Sequence, residues 1–319
     1  MPLEDFKFMD LYLRLDGPSP PRYRPLSRED GFGNYPVPQE FVASCHALTR
    51  DLKDNFHGEE GIFVYGNMRF RVALNTHANS ETWAVLRGIN SHVRTLEELG
   101  FASNIVQHLL PLGKRDGLVL VSGATGAGKT TTMYGLLLEF LKRHGGTALT
   151  VEDPVEYMME GPVGNSGYTY QVQVNDDDDW ARAIKRSLRW TPRYILVGEI
   201  RTPRAAEQVL RAATTGHLVF TSVHAGSIEE SLHGMLHMAE QTMGSGAHHI
   251  LAAGITACLH QTLTPKGPFI RYIFAEENNN GDPLRALIRE NRIGMINTFI
   301  DKQAARMAAA TGHRLKQPL

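Results

Sequence analysis

A chain of 319 residues has room for two domains and at least one sizeable core. Its hydrophobic share of 42%, charged share of 21% and net charge of −1 are those of a soluble globular protein. They give no whole-chain argument for nucleic acid or an anionic membrane as partner. Its two cysteines, Cys45 and Cys258, exclude a disulfide framework and a four-cysteine zinc site.

In chain order, the N-terminal residues are charged and lack the apolar core of a signal peptide. Phe8 to Leu15 reads as a short strand, followed by the Pro-rich stretch "GPSPPRYRP" (Gly17 to Pro25). Gln39 to Phe56 reads as a helix with Phe41, Val42, Cys45, Leu48 and Leu52 on one face. Gly61 to Tyr65 and Met68 to Leu74 read as two strands around "YGN". Together these predict a small α+β domain over 1–98. "RTLEELGF" (Arg94 to Phe101) leads into a linker, 99–110. From Gly117 onward the rhythm changes: apolar runs Leu118–Val121, Ala148–Val151, Ile195–Val197 and Leu218–Val223 alternate with helical segments, which predicts an α/β domain around a parallel sheet over 111–319. "NDDDD" and "ENNNG" read as short loops, and Asp176 to Asp179 as the cap of the helix holding Trp180, Ile184 and Leu188. No stretch approaches the ~20 apolar residues of a membrane span. The expected location is therefore the cytoplasm, with any membrane role exercised through partners.

"GATGAGKT" (Gly123 to Thr130) matches G-x-x-x-x-G-K-[ST] in full, between the apolar strand "GLVLVS" and a helix with Met133, Leu136, Leu137, Phe140 and Leu141 on one face. Glycines let backbone N–H groups converge on phosphate oxygens, and the helix N-terminus adds partial positive charge. Gly123, Ala124, Thr125, Gly126, Ala127, Gly128, Lys129, Thr130 and Thr131 are thus the expected ATP-binding residues. Lys129 should reach the β- and γ-phosphates and the Thr130 hydroxyl should ligate Mg²⁺.

Strand C-termini of a parallel sheet line its ligand crevice. Glu152, Asp153 and Glu156 follow one such strand in "LTVEDPVEY"; by itself this segment also fits an acid-rich helix start with Pro154 in its first turn. "ILVGEI" ends another strand on Gly198-Glu199. Gly198 cannot hold metal-bound water where an acid often stands, so Glu152 or Asp153 is expected to supply the metal-side carboxylate. Glu199 is expected to orient or deprotonate the attacking water. In "TTGHLVFTSVHAGS", His217 and His224 stand at opposite ends of a strand, so only His224 can approach the phosphates, as a γ-phosphate sensor. His233 and His237, four apart on a helix, read as surface histidines.

In order and spacing, the phosphate loop, "VEDPVEY", "ILVGEIR" and "TTGHLVFTSVHA" resemble the secretion-superfamily ATPases, the motors of type IV pili and of type II and type IV secretion. Within them the chain is most similar to the PilT-like retraction ATPases and their DotB/TraJ-type relatives. The resemblance runs from about Arg69 to Arg289. It places the family's Asp box at Thr150 through Glu156, its Walker B at Ile195 through Glu199 and its His box at Gly216 through His224. It implies a RecA-like core preceded by a PAS-like domain. It also implies that Arg69, Arg71 and Arg87 in "RFRVALNTHANSETWAVLRGI" reach nucleotide across domain or subunit boundaries; read without it, they are surface strand charges. "PLRALIRENR" (Pro283 to Arg292) is similar to the AIRNLIRE motif of retraction ATPases, with Pro283, Leu284 and Ala286 differing. The family further implies a homohexamer that hydrolyses ATP and works on an inner-membrane platform protein; the near-neutral net charge gives no support for nucleic acid as partner. The same core elsewhere serves nucleic-acid translocases and non-hydrolysing nucleotide switches.

Overall fold

Two units make up the chain, Met1–Ser91 and His92–Leu319. The computed structural model describes all residues but 27–32, 90–91, 175, 266, 277–280 and 311–319. Asn175 of "NDDDD" and most of "ENNNG" therefore lie outside the described residues.

In the first unit, β1 (Asp10–Arg14), β2 (Arg22–Arg24), β3 (Tyr35–Pro36), β4 (Glu60–Tyr65), β5 (Met68–Thr76) and β6 (Thr82–Gly88) form an antiparallel sheet ordered β3-β2-β1-β6-β5-β4. Helix α1 (Gln39–Asn55) buries Phe41, Cys45, Leu48 and Leu52 in one core with Leu11, Leu13, Phe70, Val72, Ala84 and Leu86. Period-two alternation sends the intervening residues to the other face. There Arg24, Asp10, Arg87 and Arg71 succeed one another across four strands in register. Asp10 is 2% exposed and is held by Arg87 at 2.7 and 3.1 Å and by Arg24 at 3.0 Å.

The second unit begins earlier than the pattern of residues predicts. Residues 92–110, expected to close the first domain and form a linker, instead hold α2 (Ser103–Leu109), because Leu96, Phe101, Val106 and Leu109 bury themselves in the second unit's core. The remaining strands are β7 (Gly117–Ser122), β8 (Gly146–Glu152), β9 (Gly161–Val163), β10 (Gly167–Gln173), β11 (Tyr194–Glu199), β12 (Leu218–Val223), β13 (Ile255–Thr264) and β14 (Gly267–Phe274). They form a sheet ordered β14-β13-β7-β12-β11-β8-β10-β9. All pairs from β13 to β10 are parallel, and the two outer strands are antiparallel. The four strands expected from apolar runs are its adjacent centre, β7-β12-β11-β8.

Both faces are covered, which is why these strands read as continuous apolar runs. Val119, Val121, Tyr194 and Leu196 face α2 and α3 (Lys129–His144), while Leu118, Leu120, Ile195 and Val197 face the opposite layer. That layer comprises α4 (Asp177–Ser187), α5 (Pro203–Ala213), α6 (Ile228–Met243), α7 (Gly246–Gly254), α8 (Pro283–Arg289) and α9 (Ile296–Ala310). Asp176 caps α4, accepting from the Asp179 amide at 2.8 Å, as the run of aspartates predicts. No helix follows Glu152: residues 153–160 form a bend and a loop that leads into β9. Among the described residues, no helix is long and apolar enough to cross a membrane.

Candidate functional site

The crevice forms where β7, β8, β11 and β12 end. Gly123, Gly126 and Gly128 have φ of +152°, +77° and +83°, a region that favours glycine, and they fold the loop back over Lys129, the first residue of α3. Lys129 is 7% exposed, and its Nζ donates to the carbonyls of Gly123 at 2.9 Å and Ala124 at 3.1 Å. Burial holds its pKa below the ordinary lysine value, and the charges of Glu199 and Glu156 pull it back up. Both acids therefore lie within electrostatic reach of the ammonium.

Strand β13 braces the loop from outside. Gln261, 1% exposed, donates from Nε2 to the Ala127 carbonyl at 2.6 Å, and His260 Nδ1 lies 3.0 Å from Ser122 Oγ. The fit leaves no room at the first glycine: a Cβ on Gly123 would stand 2.4 Å from the Gln261 carbonyl oxygen. Gly123→Ala is expected to lose about 1–3 kcal/mol to backbone strain and about 1–3 kcal/mol more to overpacking. Denaturant unfolding would measure that loss.

Glu199 ends β11 just past a register shift at Gly198. His224, beyond the end of β12, ties it to the phosphate loop. Its Nε2 is 3.2 Å from Glu199 Oε1, and its Nδ1 is 3.4 Å from Lys129 Nζ and 3.5 Å from Thr125 Oγ1. A neutral imidazole with its proton on Nε2 satisfies both sides, donating to the carboxylate and accepting from the ammonium. His217, at the other end of the strand, has Nδ1 2.6 Å from the Pro192 carbonyl, away from the crevice.

The two acids after β8 part company. Glu152 is 2% exposed and accepts a hydrogen bond from Tyr134 Oη; burial pushes its carboxyl above the usual range. A Cβ on Gly198 would lie 3.5 Å from Glu152 Cγ, so Glu152 lines the space beside the missing acid. It stands there as a buried, hydrogen-bonded carboxyl. Asp153 is half-buried and shares Arg201 with Glu199, at 3.8 and 3.5 Å. Glu156 is exposed on the following loop. Thr130 is half-buried in the first turn of α3, where backbone amides have no helical partner; the Thr131 hydroxyl is taken up by Tyr157 Oη at 2.8 Å.

Arg69, Arg71 and Arg87 are all exposed in the first unit, and Arg87 pairs with Asp10 there. Arg201, Gln261, Tyr134 and Gln171 are residues that no catalytic pattern marks. Arg201 closes the motif "ILVGEIR"; the others come from strands or helix turns with no local signal.

A glycine loop wrapped on a buried lysine, between a central strand and a helix in a mainly parallel sheet, defines a phosphate-loop α/β protein. The family described as "Type II/IV secretion system protein" matches residues 62–313, and the chain belongs to it. It is 33% identical over 256 residues to the type IV pilus retraction ATPase PilT of Pseudomonas aeruginosa, covering 79% of this chain and 71% of that protein. It is 33% identical over 236 residues to the twitching motility protein of Neisseria gonorrhoeae, covering 73% of this chain and 61% of that one. A crystal structure of the pilus retraction motor PilT with bound ADP is similar at a TM-score of 0.69 and 25% identity, covering 92% of this chain and 86% of that one. The ATPase DotB of Legionella pneumophila shares the fold at a TM-score of 0.70 and 19% identity, covering 92% and 85%.

Proposed function

We propose that the chain is an ATP hydrolase that powers a type IV pilus, as a retraction motor, or a related type IV secretion or conjugation machine. The observation that supports this reading best is the His224 bridge, which brings Lys129 of the phosphate loop and Glu199 of the neighbouring strand into one crevice. Loop amides, the α3 N-terminus and Lys129 bind the triphosphate. The Thr130 hydroxyl and Asp153 fit Mg²⁺, being hard oxygen donors at the crevice. An ion held there would supply positive charge to offset that of the triphosphate. Glu199 takes the proton of the attacking water, His224 reports the γ-phosphate, and Glu156 adds negative charge near the ammonium. Arg69, Arg71 and Arg87 are assigned to nucleotide across a domain or subunit boundary, because a planar guanidinium suits a phosphate read in one geometry. Arg87 also pairs with Asp10 in its own sheet. The working form is a homohexamer on the cytoplasmic side of the inner membrane, acting on a platform protein of the pilus or secretion system.

Phosphate release from ATP by the purified chain tests the reading. Release is expected with Mg²⁺ and should fall to background when the metal is chelated. ATP binding with no release above background would make the protein a nucleotide switch instead.

A further inference from the structure

The loop holding Asp153 and Glu156 is tied down at both ends. At its start, Glu152 accepts from Tyr134 Oη, on the second turn of the helix that Lys129 opens. At its far end, the ties converge on one residue of the neighbouring strand β10. Gln171 Nε2 donates to the Tyr157 carbonyl and to Tyr134 Oη, each at 2.8 Å. Its Oε1 accepts from the Met159 amide at 2.7 Å, and its own backbone amide donates to Glu160 Oε2 at 2.5 Å. Both donors of the side-chain amide are in use, in two different directions. Tyr157 returns to α3 through its hydroxyl on Thr131 and through its ring, 5.1 Å from that of Tyr134.

We infer that Gln171 is a positioning residue: it clamps the acidic loop to the phosphate-loop helix and so fixes where Asp153 and Glu156 stand relative to Lys129 and Thr130. This rests on the hydrolytic reading above. The Gln171 side chain bonds Tyr134 and the loop backbone, and it acts on the crevice through them. A filler side chain would need no such set of hydrogen bonds. An amide whose donors and acceptor are all engaged has one preferred orientation, and its bonds reach two elements that must keep register for the site to work.

Gln171→Met keeps the length of the side chain and removes its hydrogen bonds. Its kcat is expected to fall about ten- to a hundredfold, the cost of a displacement near 1 Å at a reacting centre. The Kd for ATP, measured by equilibrium dialysis, should stay within about twofold, because the phosphate loop itself is untouched. Hydrogen exchange at the Met159 amide should speed up about tenfold or more as its acceptor is lost. Tyr157→Phe, which cuts only the link to Thr131, should show the same signature more weakly and serves if the first variant does not fold. Unchanged exchange at Met159, unchanged kcat, or an equal loss of kcat and ATP affinity overturns the clamp. A wild-type chain without turnover overturns the hydrolytic reading, and the kinetic part of this inference with it. Unchanged exchange in an active enzyme overturns the clamp alone.

Discussion

Glu199→Gln is expected to lower kcat about 10²–10⁴-fold, the usual contribution of a positioned general base, while ATP remains bound. The amide fills the same volume at the end of β11 and still offers an oxygen to His224 Nε2, which lies 3.2 Å from Glu199 Oε1. What it loses is basicity and one negative charge beside Lys129, Arg201 and His224. Less negative charge at the crevice favours the triphosphate, so ATP affinity should hold or rise. Phosphate release under single-turnover conditions, paired with a binding isotherm, separates the two effects. Undiminished turnover would move the proton-accepting role to Glu156, the other acid that acts on Lys129.

Lys129→Ala should act on the opposite quantity. The ammonium contributes charge-assisted hydrogen bonds to phosphate, each worth about 1.5–3 kcal/mol, so ATP affinity is expected to fall by about tenfold for every 1.4 kcal/mol lost. The variant also releases the Gly123 and Ala124 carbonyls that Nζ now holds at 2.9 and 3.1 Å. The loop thus loses its internal brace together with its ligand contact. Removing a largely buried ammonium, whose pKa burial already depresses, offsets part of that structural cost. The expected result is therefore weak nucleotide binding in a folded chain, read by calorimetry beside a thermal melt. An affinity equal to the wild type would mean that the loop does not grip a triphosphate.

The contrast between Lys129 and Gln171 shows what was legible in the residues. Lys129, Thr130 and the loop glycines lie in one contiguous motif, where close spacing along the chain enforces close spacing in space. Glu199 and His224 were legible because strand ends of a parallel sheet share one edge, so an acid or histidine at such an end points toward the crevice by topology alone. The same reasoning could not separate Glu152 from Asp153. They are adjacent, but the pleat turns one inward onto Tyr134 and leaves the other beside Arg201. Nor could it find the early start of the second unit, since Leu96 and Phe101 look like linker residues until the core that receives them is in place.

Legible from residues alone are the phosphate loop, the order of the four central strands' motifs, the acids and histidine at their ends, and the family. These follow from local spacing and from the alternation of apolar strands with helices. Only packing settles which carboxyl is buried on Tyr134 and which stands beside Arg201, that Arg87 pairs with Asp10, and that Gln171 and Gln261 brace the site from strands β10 and β13. Those outcomes depend on side chains far apart in the chain meeting across a twisted sheet, and burial and hydrogen-bond partners exist only once that packing has formed.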